Sequence, residues 1–357
     1  MQRRMYHRFD GYEKLKPLLE GSDGDVLREF EGLPVLIRIP AASTTETPKA
    51  RFVSCLLHGN EPSGFQAMVE VLRRGERFPF DLWVLIGNVR AATEQGLYAH
   101  RHLDDQEDFN RVWGLGPADT DQRRAAAAIL AELRDANLEA AVDIHNNSGR
   151  NPFYAILTQL TPAGRRLAAL CADTALLWRL RAHTLMEALA PLCPAVSVEC
   201  GAPHGAGTAF ASGVVHRFLT ADDLSAPEGV GADGLGADPA LTAGLMATGL
   251  RVTVRPEVRF SFGTELADGD DLAVVPELDR FNFQRMPALE TIGRVAPGSP
   301  MPFCATDNDG ADLTDRLLRI TPDGRVVVIE DVVPLMMTTT VVQTRRDCLF
   351  YTGDTVG

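Results

Sequence analysis

The sequence predicts an α/β protein: a mixed sheet flanked by helices over residues 1–240, followed by a smaller β-rich domain over residues 245–357. Three observations carry this. Strand-forming and helical runs alternate through the first 220 residues, the pattern of a sheet covered on both faces. A Gly/Pro-rich stretch, Ala226-Pro-Glu-Gly-Val-Gly-Ala-Asp-Gly-Leu-Gly-Ala-Asp-Pro239, then reads as a flexible linker. Beyond it the runs are of β type. At 357 residues, 45% of them apolar, the chain has enough for one large or two unequal cores.

The elements follow in order. Leu33-Pro-Val-Leu-Ile-Arg-Ile39 reads as a strand, closed by a Thr/Pro-rich turn at Ser43 to Pro48. Arg51-Phe-Val-Ser-Cys-Leu-Leu57 is a second, buried strand, and Gly64 to Leu72 has helical spacing. Asp81-Leu-Trp-Val-Leu-Ile86 is a third strand; Asp121 to Asn137 is an Ala-rich helix. Ala141-Val-Asp-Ile-His145 and Asn151 to Leu157 return to strand, and Thr161-Pro-Ala-Gly164 opens a helix with Thr as N-cap and Pro in the first turn. Ala195-Val-Ser-Val-Glu199 is a further apolar strand. Past the linker, a short amphipathic segment, Ala240 to Gly249, precedes β-type runs at Leu250–Arg255, Arg325–Glu330 and Met337–Val342.

The chemistry sits at strand ends. His58-Gly-Asn-Glu61 follows directly on a core strand, and open α/β sheets place their sites at the carboxyl ends of strands. Zinc accepts imidazole nitrogen and carboxylate oxygen, and hydrolytic sites use three protein ligands. His145, ending another apolar run, supplies a third. Glu199 ends a third such strand; a carboxylate there is seldom buried without a partner, which makes it a candidate general base. Taken singly, an H-x-x-E is common by chance and a strand-end His is more often a packing residue. The conjunction at neighbouring strand exits is what points to a metal hydrolase. Asp143 shares a strand face with His145, as an orienting partner of that imidazole or as an ordinary capped core-edge Asp.

His58-Gly-Asn-Glu61, Asp108-Phe-Asn-Arg111, Asp143-Ile-His145-Asn146 and Val198-Glu199-Cys-Gly201 together resemble the signatures of the succinylglutamate desuccinylase/aspartoacylase family, over roughly residues 50 to 215. The resemblance implies a zinc-carboxypeptidase-like fold and one Zn2+ per chain, held by His58, Glu61 and His145. It implies that Glu199 is the catalytic carboxylate, that Asn110 and Arg111 hold a substrate carboxylate, and that Arg90 polarises the scissile carbonyl. The expected activity is amide hydrolysis of a small anionic N-acyl amino acid; the alternative is a carboxypeptidase-like peptidase acting on short peptides or amino-acid conjugates. Read from the residues, Arg111 has a planar fork suited to a carboxylate, with Phe109 as an apolar anchor, or else pairs with the acids of the preceding polar stretch. Arg90 is either a site residue or an ordinary strand-exit arginine.

The chain departs from the family on substrate. The segment Ala182 to Pro191, leading toward Glu199, lacks the Tyr and Arg that aspartoacylase-type members place there. Gly87-Asn-Val-Arg90 carries Val where Pro is frequent, and Tyr351 is the only Tyr of the last domain. The acyl group removed stays open. A formal net charge of −13 with no basic stripe argues against nucleic acid. No signal-peptide core or roughly 20-residue apolar span is present, so a cytoplasmic protein without a membrane partner is expected, with a homo-oligomer allowed. The six cysteines form no C-x-x-C pair and suit a reducing compartment. Cys200 as a nucleophile has no base-bearing motif beside it.

Overall fold

The computed structural model describes residues 5–42, 47–116, 119–222, 224 and 245–355. The whole linker, most of the Ser43 to Pro48 turn and the first half of the Ala240 to Gly249 segment lie outside the described residues. The chain divides into two compact units. One comprises Met1–Asn147, Phe153–Ala175 and Ala182–Gly244; the other Ser148–Pro152, Leu176–Arg181 and Leu245–Gly357.

In the first unit the chain runs β1 (His7–Asp10), α1 (Asp23–Glu29), β2 (Val35–Ile39), β3 (Ala50–Cys55), α2 (Ser63–Arg74), β4 (Asp81–Ile86), α3 (Val89–Thr93), α4 (Asp121–Arg134), β5 (Leu138–His145), β6 (Tyr154–Leu157) and α5 (Pro162–Cys171). After β7 (Thr174–Leu177), where it passes from one unit to the other, come α6 (Leu185–Leu189), β8 (Ala195–Glu199) and α7 (Ala206–Thr220). The sheet order is β1-β2-β4-β3-β5-β8-β6. Its centre, β4-β3-β5-β8, is parallel, while β2 and β6 run antiparallel to their inner neighbours. The inner strands are buried along nearly their whole length, as parallel strands covered on both faces must be.

Two local devices set the approach of α2. Gly64 lies so close to the sheet that a Cβ there would come within 2.7 Å of Ile144 Cβ, so only glycine lets the helix start this near β5. Gly75, at φ 65°, ends the helix in the left-handed conformation that glycine adopts without cost. On the sheet, Phe52, Trp83, Leu85 and Ala141 pack with Ile129, Leu130 and Leu133 of α4. The same core takes in Phe109 and Trp113, whose ring centroids are 5.4 Å apart and which anchor the Asp108 to Arg111 loop.

The second unit holds β9 (Leu245–Val254), β10 (Phe260–Phe262), β11 (Leu272–Val274), β12 (Thr291–Arg294), β13 (Phe303–Thr306), β14 (Leu318–Ile320), β15 (Arg325–Val328), β16 (Val333–Leu335) and β17 (Phe350–Thr355). β9 pairs antiparallel with both β13 and β17, and β16 pairs with β17. A separate sheet runs β10-β11-β12-β15-β14. One expectation fails here. Met337–Val342 is not a strand; a helix, Val341–Arg346, begins where the Thr340 side chain accepts from the Gln343 amide, and that cap overrides the β preference of the Thr/Val run.

Candidate active site

The parallel register brings three strand exits to one level. His145 on β5 lies directly opposite Glu199 on β8, and Ser54 on β3 opposite Asp143. Beyond β3, Leu56 takes φ 57° and the chain turns through His58 and Glu61 into α2. His58, Glu61 and His145 are all buried, and one ligand atom from each lies within 4.8 Å of the others, a group that could hold a metal ion.

The orientation of the imidazoles is the informative part. His58 Nδ1 is 2.8 Å from Glu61 Oε1, and His145 Nδ1 is 2.8 Å from Glu61 Oε2. On their far sides, His58 Nε2 is 3.1 Å from Asp108 Oδ1 and His145 Nε2 is 2.6 Å from Asp143 Oδ2. Asp143 also accepts from the Ser54 hydroxyl at 2.6 Å. An aspartate accepting from Nε2–H leaves the Nδ1 lone pair for a metal, the arrangement by which carboxylates fix the tautomer of ligating histidines. Two imidazoles and a carboxylate, converging and oriented from behind, fit zinc.

Electrostatics follows from these contacts. Burial opposes ionisation of Glu61, yet His58 and His145 outweigh it and hold the carboxyl well below its usual range. Asp108 is half-buried; desolvation opposes its ionisation, yet His58, Arg101 and Arg111 hold it low. For His145, burial works against the charged form, while Asp143 and Glu61 raise it well above the ordinary value. Glu199 differs. Burial pushes its carboxyl up to about 7; His145 pulls it down, Glu61 adds to the rise, and a 3.3 Å bond from Asn147 Nδ2 opposes it. A carboxyl near 7 is poised for proton transfer at neutral pH. The Cys200 thiol is buried and raised by burial and by Glu199, so it stays protonated and unreactive.

The remaining expected residues divide. Asn110 comes to the cluster, with Nδ2 3.3 Å from His145 Nε2 while its Oδ1 accepts from the Leu185 amide at 2.9 Å. Arg111 is half-buried and donates to the Asn110 carbonyl at 3.0 Å. Arg90 is not bonded to the cluster. Its guanidinium pairs with Glu94 at 3.1 Å and Asp105 at 2.9 Å, because Asn88 caps α3 and the first helical turn carries Arg90 outward. The arginine that does reach the cluster is Arg101, which donates to Glu61 Oε1 at 3.3 Å and to Asp108 at 3.1 Å. It was missed because it stands inside the polar stretch read as an exposed loop. Asp108 and Asn146 stand inside the motifs quoted from the sequence but were given no role there, and Asn147 was missed; the motifs themselves were the signal that pointed at them.

An α/β fold thus carries, at the carboxyl ends of parallel strands, a buried His/Glu/His group that could hold a metal ion, with a raised carboxylate at the next exit. No family model matches the sequence, and no curated protein matches it. Solved structures do match in fold. A succinylglutamate desuccinylase/aspartoacylase from Rhodobacter sphaeroides superposes with TM-score 0.54 at 15% identity, over 89% of this chain and 88% of that one. The product-bound ectoine utilization protein EutE from Ruegeria pomeroyi gives 0.53 at 13%, over 89% and 88%. A succinylglutamate desuccinylase from Vibrio parahaemolyticus gives 0.51 at 14%, over 84% and 86%. The chain has the fold of the succinylglutamate desuccinylase/aspartoacylase structures.

Proposed function

We propose that this protein is a zinc-dependent amidohydrolase that cleaves the amide bond of a small, anionic N-acyl amino acid. The observation that carries the reading is the paired orientation of His58 and His145, each with Nδ1 turned to Glu61 and Nε2 held by an aspartate. The fold shared with desuccinylase/aspartoacylase structures supports it. His58, Glu61 and His145 would hold the zinc. When bound, zinc supplies a Lewis acid and lowers the pKa of water toward about 7.

Glu199 is the general base. It takes a proton from the attacking water and passes it to the departing amine. Asn147 orients its carboxylate by donating to Oε2. The role of polarising the scissile carbonyl passes from Arg90 to Arg101, whose charge lies beside the cluster and stabilises the developing oxyanion. Arg111, with Asn110 beside it, grips the substrate carboxylate through its planar fork. Among the described residues no helix is long and apolar enough to cross a membrane. Five of the six cysteines are buried free thiols, which suits a cytoplasmic enzyme.

The test is a panel of N-acyl aspartates, N-acyl glutamates and short peptides offered to the zinc-loaded protein, with Glu199→Gln in parallel. Hydrolysis of at least one N-acyl amino acid is expected, reduced about a hundredfold or more in Glu199→Gln with zinc retained. Turnover confined to peptides refutes the substrate class. Loss of zinc in the variant makes Glu199 a ligand, and wild-type turnover there removes it from the chemistry.

A further inference from the structure

The groups of this site stand on separate segments. Glu61 precedes α2, His145 ends β5 and Glu199 ends β8. Backbone pairing continues between the last two beyond the strands: the Cys200 amide donates to His145 O at 2.9 Å and the Asn147 amide to Gly201 O at 3.0 Å. Pairing of β3 with β5 stops earlier, at Cys55 opposite Ile144. Sheet hydrogen bonds therefore do not place Glu61 against its partners.

Asn146 supplies that connection. It is 5% exposed. Its backbone N–H donates to Glu61 Oε2 at 3.2 Å. Its side-chain Oδ1 accepts from the Ser63 amide at 3.1 Å, and Nδ2 donates both to Ser63 Oγ at 3.0 Å and to Gly201 O at 3.0 Å. A backbone donor on one side and a backbone acceptor on the other fix the way the amide faces. Ser63, fully buried, is the first residue of α2, two residues after Glu61; Gly201 is two residues after Glu199.

We infer that Asn146 is a positioning residue: one buried amide that locks the Glu61 and Glu199 segments to the His145 strand end, so that metal binding and base placement are set together. The inference rests on the hydrolase reading above. A residue that merely closed a loop would contribute stability and nothing else. A clamp between two arms of a site contributes alignment, and misplacement by about 1 Å costs about a hundredfold in rate.

The experiment compares wild type, Asn146→Ala and Ser63→Ala. Zinc dissociation constants are measured by competition with a chromophoric chelator, and melting temperature, kcat and KM on the best substrate of the panel. Asn146→Ala is expected to weaken zinc about tenfold and to lower kcat about ten- to a hundredfold with KM within about threefold. Ser63→Ala removes one partner of the clamp and should shift both quantities the same way, with kcat down about threefold or more. If wild type binds no zinc, the hydrolase reading fails and this inference with it. If wild type binds and turns over while Asn146→Ala matches it in zinc affinity and kcat, with or without a lower melting temperature, the inference alone fails. Should Asn146→Ala not fold, wild-type zinc affinity and kcat in Ser63→Ala would make Asn146 a folding residue only and overturn the proposal.

Discussion

Asp143→Asn isolates the claim that an aspartate fixes the tautomer of a metal-binding histidine. Asp143 is fully buried, with Oδ2 2.6 Å from His145 Nε2 and Oδ1 accepting from Ser54 at 2.6 Å. Asparagine is nearly isosteric and has two ways to sit. With its amide nitrogen toward His145 it must donate to Nε2, which puts the imidazole proton on Nδ1 and removes the lone pair a metal needs. With its oxygen toward His145 the tautomer survives, and the amide nitrogen can donate to Ser54 Oγ. The acceptor is then neutral, and a bond to a charged acceptor is roughly twice as strong as one between neutral groups. Both orientations weaken the site, and loss of such a partner costs about ten- to a hundredfold in metal affinity, or about 1.4–2.7 kcal/mol. Chelator competition on the folded variant, checked by circular dichroism, measures this directly. Zinc affinity within about twofold of wild type would refute the tautomer argument, because neither orientation of the asparagine allows it.

Three further outcomes are expected. Zinc affinity should rise with pH: Asp143 and Glu61 favour the His145 imidazolium against the effect of burial, so binding must displace a proton that persists above the ordinary histidine range. A dissociation constant flat between about pH 6 and 8 contradicts that. Arg111→Ala should lower kcat/KM at least about tenfold on a carboxylate substrate and far less on its neutral amide, with Arg111→Lys still impaired because it lacks the planar fork; equal losses on acid and amide make Arg111 structural. Away from the site, Arg51 and Glu139 pair at 2.9 Å with side chains 2% and 5% exposed. Glu139→Ala strands a buried guanidinium, so urea unfolding should show a loss of about 3–5 kcal/mol, and a loss below about 1 kcal/mol would mean that Phe218 O and the Phe80 ring satisfy Arg51 alone.

Where local pattern decides structure, the sequence was sufficient. Asp81–Ile86 and Ala195–Glu199 are strands from the first to the last residue expected, because short apolar runs closed by turn residues have one economical conformation in a covered sheet. The α5 start is as legible: Thr161 accepts from the Gly164 amide, with Pro162 at the first helical position. The same local reasoning misjudged Met337–Val342, where one capping hydroxyl outweighed a run of β-branched residues, and it did not see β1, whose four residues are a strand because they pair with β2.

The candidate site divides along the same line. His58, Glu61, His145 and Glu199 could be found because donor type and strand-end position are both written in the sequence, and the parallel register then brings the strand exits level. Asp143, two residues before His145 on the same strand face, was already offered by the sequence as its partner and meets it; the other partners were decided by tertiary structure. His58 meets Asp108 fifty positions away, and Asn146 reaches both Ser63 and Gly201. Tertiary structure also placed two arginines differently, of which only Arg90 was named from the sequence. The Asn88 cap turns Arg90 out to Glu94 and Asp105, while the loop anchored by Phe109 on Trp113 returns Asp108 to His58 with Arg101 bonded to it. A side chain's type is fixed by its codon; the direction it faces is fixed by caps, turns and packing partners far along the chain.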